Sequence, residues 1–275
     1  LNRDFEAHAP MIAGQALTKA LEKAGEPATT LDALFLCTCT GYLCPGVTSH
    51  LAEQLGMRPD VYMQDLVGLG CGAAIPTMRS AANYLAANPE ATVGVVAVEI
   101  CSAAFYVDND PGVLISLCLF GDGASASIWK ATAPDSPAYQ VGNFQTVHKP
   151  EQREKIRFVN AEGKLKNKLH RSVPEVAGAV VRELYEAAGH NGNKIDRILA
   201  HPGGRDVIEA LEAELPVDQL LESREVLRNF GNLSSPSVLV ALEKHLESEN
   251  PGDELWLTSF GAGFACHSAG LTRVN

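Results

Sequence analysis

The chain repeats itself. At one constant offset Pro10, Ala13, Gly14, Ala24, Gly25 and Asp32 fall on Pro174, Ala177, Gly178, Ala188, Gly189 and Asp196, without a gap. Each stretch reads as an apolar helix, a turn opened by Gly, an Asp and then a strand, at residues 34–37 in one copy and 198–201 in the other. A match in register across a whole supersecondary unit implies two related α/β halves. A second correspondence, slipped by a few residues, sets Cys71 against Asn232. Cys71-Gly72-Ala73-Ala74-Ile75-Pro76 opens an apolar helix that runs to Asn88-Pro89, before a strand at 92–98. Asn232-Leu233-Ser234-Ser235-Pro236 opens another that runs to Asn250-Pro251, before a strand at 254–258. Pro in a first helical turn costs no hydrogen bond, and Pro after Asn stops a helix end. Cys71 and Asn232 are therefore expected at equivalent helix N-termini.

Helices alternating with apolar strands give a layered α/β architecture. The halves are expected at residues 1–133 and 134–275. A strand-bearing stretch at 139–171 precedes Pro174 and has no counterpart before Pro10. The first half is thus expected to be incomplete, with its opening strand lying upstream of Leu1.

Composition narrows the function. A net charge of −11 argues against general nucleic-acid binding, which needs surplus Lys and Arg to displace counterions. No apolar run approaches the roughly 20 residues of a membrane span, and no basic-then-apolar leader opens the sequence. Seven cysteines, an odd number, point to free thiols in a reducing cytosol. Cys37, Cys39 and Cys44 lack the second ligand pair of a zinc site, and the first two sit in an apolar run, so no metal is expected.

Three residues carry candidate chemistry. Cys71 lies in Gly68-Leu69-Gly70-Cys71-Gly72 at a helix start, where unpaired N–H groups favour thiolate. Taken alone it could equally be a small buried cysteine in a tight turn. The glycines resemble a dinucleotide fingerprint only weakly, because Gln64-Asp65-Leu66 before them does not read as a clean buried strand. His201 ends a strand and precedes Pro202-Gly203-Gly204, at the kind of strand end where α/β sheets bind ligands. Asn232 could be a helix N-cap and nothing more; its place opposite Cys71 in the repeat makes it a site candidate.

The strings GLGCGAA, LFGDGASA, AHPGGRDVIEALE, FGNLSSPSVL and SFGAGF, in this order, resemble the type III polyketide synthases of the chalcone synthase family along essentially the whole chain. The resemblance implies a thiolase-like fold of two duplicated halves in αβαβα layers. It implies Cys71 as acyl-accepting nucleophile, with His201 and Asn232 completing the catalytic set. Phe120 becomes a gatekeeping aromatic, and Cys39, Ala104, Gly203 and Ser234 become substrate-binding positions. Acyl-CoA and malonyl-CoA would be substrates, with no cofactor. A cytoplasmic homodimer is implied, with the 41–46 loop near its interface. Cys39 and Ala104 stand where plant members have threonines, Cys44 stands for a methionine that reaches the partner's cavity, and a second gatekeeping Phe is missing near residues 165–167. A ketoacyl-carrier-protein synthase III shares fold and triad, but usually carries Asn or Gln soon after the His. A non-catalytic acyl-binding protein of the same fold is the alternative of a different class. In the enzyme reading, Cys71 should be the most reactive thiol.

Overall fold

The computed structural model describes residues 2–133, 137–161, 164–189 and 194–274; residues 134–136, at the expected seam between the halves, lie outside these. The first half contains α1 (Asn2–Ala24), β1 (Ala33–Thr38), α2 (Val47–Leu55), β2 (Tyr62–Val67), α3 (Ala74–Ala87), β3 (Val93–Glu99), α4 (Pro111–Leu119) and β4 (Gly123–Trp129). Their sheet runs β2-β1-β3-β4, with β4 alone antiparallel to its neighbour. The second half contains β5 (Ala138–His148), a hairpin of β6 (Ile156–Ala161) and β7 (Lys164–Leu169), α5 (Val173–Ala188), β8 (Arg197–Ala200), α6 (Arg205–Glu214), α7 (Leu221–Phe230), α8 (Ser237–Leu246), β9 (Glu254–Gly261) and β10 (Ala265–Val274). Their sheet runs β5-β10-β9-β8, again with the β8–β9 pair parallel and β10 antiparallel to β9.

β1 and β3 are apolar on both faces and buried throughout, as strands covered on both sides must be. Leu34 and Leu36 point to α1 and α2, packing with Leu17 and Leu51. Phe35 and Cys37, alternating to the other face, pack with Ile75 and Met78 of α3, Val238 of α8, and Leu255 and Leu257 of β9. Beyond the second sheet, Val180 and Leu184 of α5 and Ile208 and Leu211 of α6 cover Ile198 and Trp256. The order is helices, sheet, central helices, sheet, helices: the expected five layers.

The repeat-matched residues do matched work. A Cβ on Gly14 would meet the Gln54 side chain of α2 at 2.8 Å, and one on Gly178 the Ala210 carbonyl of α6 at 3.1 Å, so each glycine lets a helix pair close. Gly25 and Gly189 follow their helices with φ of 67° and 65°. Asp32 accepts from Thr92 N (2.8 Å) just before β3, and Asp196 from Asp253 N and Glu254 N (2.9 and 3.1 Å) at the start of β9. The second sheet carries β5 outside β10; among the described residues the first has no strand outside β4.

Candidate active site

Cys71 sits in a 3-10 turn, Gly70–Gly72, that joins β2 to the central helix α3. The residues before it form a strand, though not a buried one, as the sequence reading held. β2 is an edge strand, exposed over much of its length. The dinucleotide reading fails for another reason. The glycine turn is closed by the other half: a Cβ on Gly70 would meet Ala262 N at 3.0 Å, and one on Gly261 would meet Leu69 O at 2.5 Å. No width remains for a pyrophosphate.

Cys71 is 5 % exposed, and burial pushes its thiol up to about 12. The hydrogen bond at its sulfur comes from Ser234, whose Oγ donates to Sγ at 3.2 Å, and not from His201. His201 follows β8, its N–H donating to Thr258 O (2.9 Å), and its ring meets Phe260 edge-on at 5.3 Å. Phe260 and Gly261 in turn lie against Gly72, next to Cys71. Burial lowers His201 to about 3, so the imidazole is neutral, and its buried Nδ1 has no hydrogen-bond partner among the described residues. The resting pair is therefore thiol and imidazole. Cys44 and Cys118 are exposed where Cys71 is buried, so simple access does not make Cys71 the most reactive thiol; its reactivity has to come from proton transfer at the site.

Asn232 is not a helix cap. α8 begins at Ser237, and Asn232 instead bridges to Phe120 through Gly121 N to Asn232 O (3.0 Å) and Asn232 N to Leu119 O (2.8 Å). Its Oδ1 accepts from Ser234 N and its Nδ2 donates to Gly203 O, both at 2.8 Å. One amide hydrogen is left over. Cys71, Ser234, Asn232 and the His201–Gly203 turn are thus linked side by side, with residues drawn from both halves.

Beside them lies an apolar cavity of about 40 Å³, walled by Ala104, Phe105, Tyr106, Leu117, Phe120, Phe158, Leu165 and Asn167, and reaching Thr40, Cys101 and Ser234. Phe120, Ala104 and Ser234 line it. Cys39 and Gly203 do not; Cys39 touches the site through Ser234 Oγ (3.2 Å) and Gly203 through Asn232. The aromatic missing near residues 165–167 is supplied by Phe158, directly across the hairpin from Asn167. Sequence reasoning missed this because hairpin register is not written in either strand. It also missed Glu99, fully buried, which accepts from Cys39 N (2.9 Å), Thr40 Oγ1 (2.8 Å) and Ser235 Oγ (2.5 Å) and so ties the end of β1 to the Ser234–Ser235 turn. A carboxylate closing the apolar run at 93–98 was the available signal.

Two duplicated, layered α/β halves with a cysteine on the turn into a central helix define a condensing enzyme of the thiolase class. Residues 5–133 match the model of chalcone and stilbene synthases, N-terminal domain, and residues 143–271 that of the C-terminal domain. The chain belongs to the chalcone and stilbene synthase family and is a type III polyketide synthase, an acyltransferase of the condensing kind. It is 30% identical over 273 residues to 3,5-dihydroxyphenylacetyl-CoA synthase of Streptomyces toyocaensis, covering 94% of this chain and 70% of that protein. Its fold is similar to the C-terminal type III polyketide synthase domain of Steely1 from Dictyostelium, with a TM-score of 0.94 at 24% identity over 100% of this chain and 79% of that one. It is also similar to 1,3,6,8-tetrahydroxynaphthalene synthase of Streptomyces coelicolor A3(2), with a TM-score of 0.89 at 26% identity over 98% and 80% of the two chains.

Proposed function

We propose that the chain takes a starter acyl group from acyl-CoA onto Cys71 and lengthens it with malonyl-CoA by decarboxylative Claisen condensation. The observation that carries this reading is the linked set Cys71, Ser234, Asn232 and Gly203, placed from both halves beside one apolar cavity. Neutral His201 accepts the Cys71 proton, and the sulfur attacks the acyl carbonyl; CoA leaves with that proton. Malonyl-CoA then loses CO2, and the electron pair of the broken C–C bond becomes an enolate. The His201 N–H and the spare Asn232 N–H donate to its oxygen. The enolate carbon attacks the acyl group on Cys71, and the sulfur is expelled. In this reading the two CoA thioesters are substrates and no cofactor is used.

The narrow, aromatic-walled cavity favours short starters and small products. Of the products named for the relatives, 1,3,6,8-tetrahydroxynaphthalene and the acyl group of 3,5-dihydroxyphenylacetyl-CoA are compact aromatic units. Incubation with acyl-CoAs of graded length plus malonyl-CoA, read by product mass, is expected to give two-carbon extensions with short starters and little with long ones. Malonyl-CoA left unconsumed with every starter would overturn the reading in favour of an acyl-binding protein.

The chain is further proposed to work as a homodimer. β2 is an edge strand that exposes Tyr62 (49%), Met63 (39%) and Val67 (50%), and Tyr42 of the 41–46 loop is 69% exposed. An apolar sheet edge of this kind is usually covered. Sedimentation at micromolar concentration should give the dimer mass, and Met63→Arg should shift it to the monomer; a native monomer would refute the proposal. Among the described residues no helix is long and apolar enough to cross a membrane, and the free cysteines suit a reducing cytosol.

A further inference from the structure

We propose that Ser234 is a catalytic residue whose hydroxyl stabilises the Cys71 thiolate, both when the thiol is activated for loading and when condensation expels the sulfur. The inference rests on the reading that Cys71 carries the acyl group. It starts from proton counting. A serine hydroxyl has one hydrogen, and Ser234 Oγ donates it to Cys71 Sγ at 3.2 Å. The contact between Cys39 Sγ and Ser234 Oγ, also 3.2 Å, must then be a donation from Cys39. Cys39 can supply it, because burial first and the Glu99 charge second push its thiol well above the usual range. The result is a one-way chain, Cys39 S–H to Ser234 O–H to Cys71 S, in which each bond polarises the next.

The backbone is set to aim this hydroxyl. Ser234 has φ of 60°, in the left-handed region that favours glycine, yet it is a serine. It is held there by Asn232 Oδ1, which accepts from its N–H at 2.8 Å, and by its neighbour Ser235, which donates to buried Glu99. With Ser234 1% exposed, water does not compete for the bond. Strain of this kind at a site next to a nucleophile marks a constraint that the surrounding contacts maintain.

The chemistry needs such a donor. In condensation a C–C bond forms between enolate and acyl carbon, the C–S bond breaks, and the electron pair passes to Cys71 Sγ. In the proposed mechanism the donors of His201 and Asn232 serve the enolate oxygen, a different atom. Ser234 meets the charge that grows on sulfur, where a hydrogen bond to an anion is strongest.

The test uses Ser234→Gly, which removes the hydroxyl and suits the positive φ, with Ser234→Ala alongside. Alkylation of Cys71 by iodoacetamide is followed by peptide mass across pH, and condensation is followed with malonyl-CoA. In Ser234→Gly the alkylation midpoint is expected to rise by about one pH unit. Condensation kcat should fall about 10- to 100-fold, with KM for acyl-CoA within about twofold. A purely structural serine would move neither the midpoint nor kcat selectively. An unmoved midpoint or an unmoved kcat overturns the proposal. If the native chain takes an acyl group from no acyl-CoA, that failure falls on the acyl-transfer reading, and the midpoint still decides whether the hydroxyl acts on the sulfur.

Discussion

Cys71→Ala is expected to abolish acyl loading and to reduce polyketide formation on the order of 10⁶-fold, the scale seen when an attacking nucleophile is deleted. The substitution is small at a buried turn and removes one weak hydrogen bond, so the fold should survive it. Of the other six thiols, Cys101 reaches the cavity and Cys39 touches Ser234, and burial first and the Glu99 charge second hold both well above the usual thiol range. Cys37 and Cys266 are buried in strands, and burial pushes the Cys37 thiol up to about 12 and raises Cys266 further. Cys44 and Cys118 are exposed, and neither lines the cavity. Decarboxylation of malonyl-CoA is a separate matter, because it needs donors for an enolate oxygen and no thiol. It should persist in Cys71→Ala, measured as CO2 and acetyl-CoA formed. Loss of both activities together would mean that the substitution damaged the site rather than the nucleophile.

Asn232→Ala should show the opposite pattern. Decarboxylation is expected to fall about 10²–10³-fold, the effect of removing one oxyanion donor, while acyl loading on Cys71 stays within about tenfold. The alanine also strips partners from the buried Ser234 N–H, at about 1–3 kcal/mol, and from the half-buried Gly203 C=O, at less. Asn232→Asp separates the two roles. It keeps an acceptor for Ser234 N–H and loses the donor, so a decarboxylation loss shared by both variants belongs to the N–H. His201→Gln should slow loading and decarboxylation alike, since one imidazole serves the proton transfer and the oxyanion. Equal losses of both steps in Asn232→Ala and Asn232→Asp would remove Asn232 from the donor role.

What the sequence disclosed was whatever a single backbone requirement dictates. Gly25 and Gly189 end helices at positive φ, Gly14 and Gly178 let helices close, and Asp32 and Asp196 fasten the start of the next strand. Each need is local, each recurs in both halves, and so the duplication could be read from the sequence. The candidate site residues Cys71, His201 and Asn232 were picked out on the same ground, as the ends of repeated elements. What was hidden depends on which segments meet. β2 did not read as a buried strand, and it is not one: it lies at a sheet edge and turns polar and apolar residues alike outward, so the edge position itself went unread. Asn232 looked like a helix cap, yet α8 starts five residues later and the amide is spent on Ser234 and Gly203. Phe158 reaches the cavity through its cross-strand pairing with Asn167, which no pattern along either strand announces. The bond from Ser234 to Cys71 spans the two halves, and only their packing reveals it.

The central claim, that Cys71 is the residue which holds the growing chain, is met most directly by brief incubation of the native protein with a short acyl-CoA, followed by digestion and peptide mass spectrometry of all seven cysteines. The expected result is an acyl adduct on the Cys71 peptide that disappears when malonyl-CoA is added. An adduct confined to exposed Cys44 or Cys118, or a Cys71 adduct that malonyl-CoA leaves in place, would contradict it.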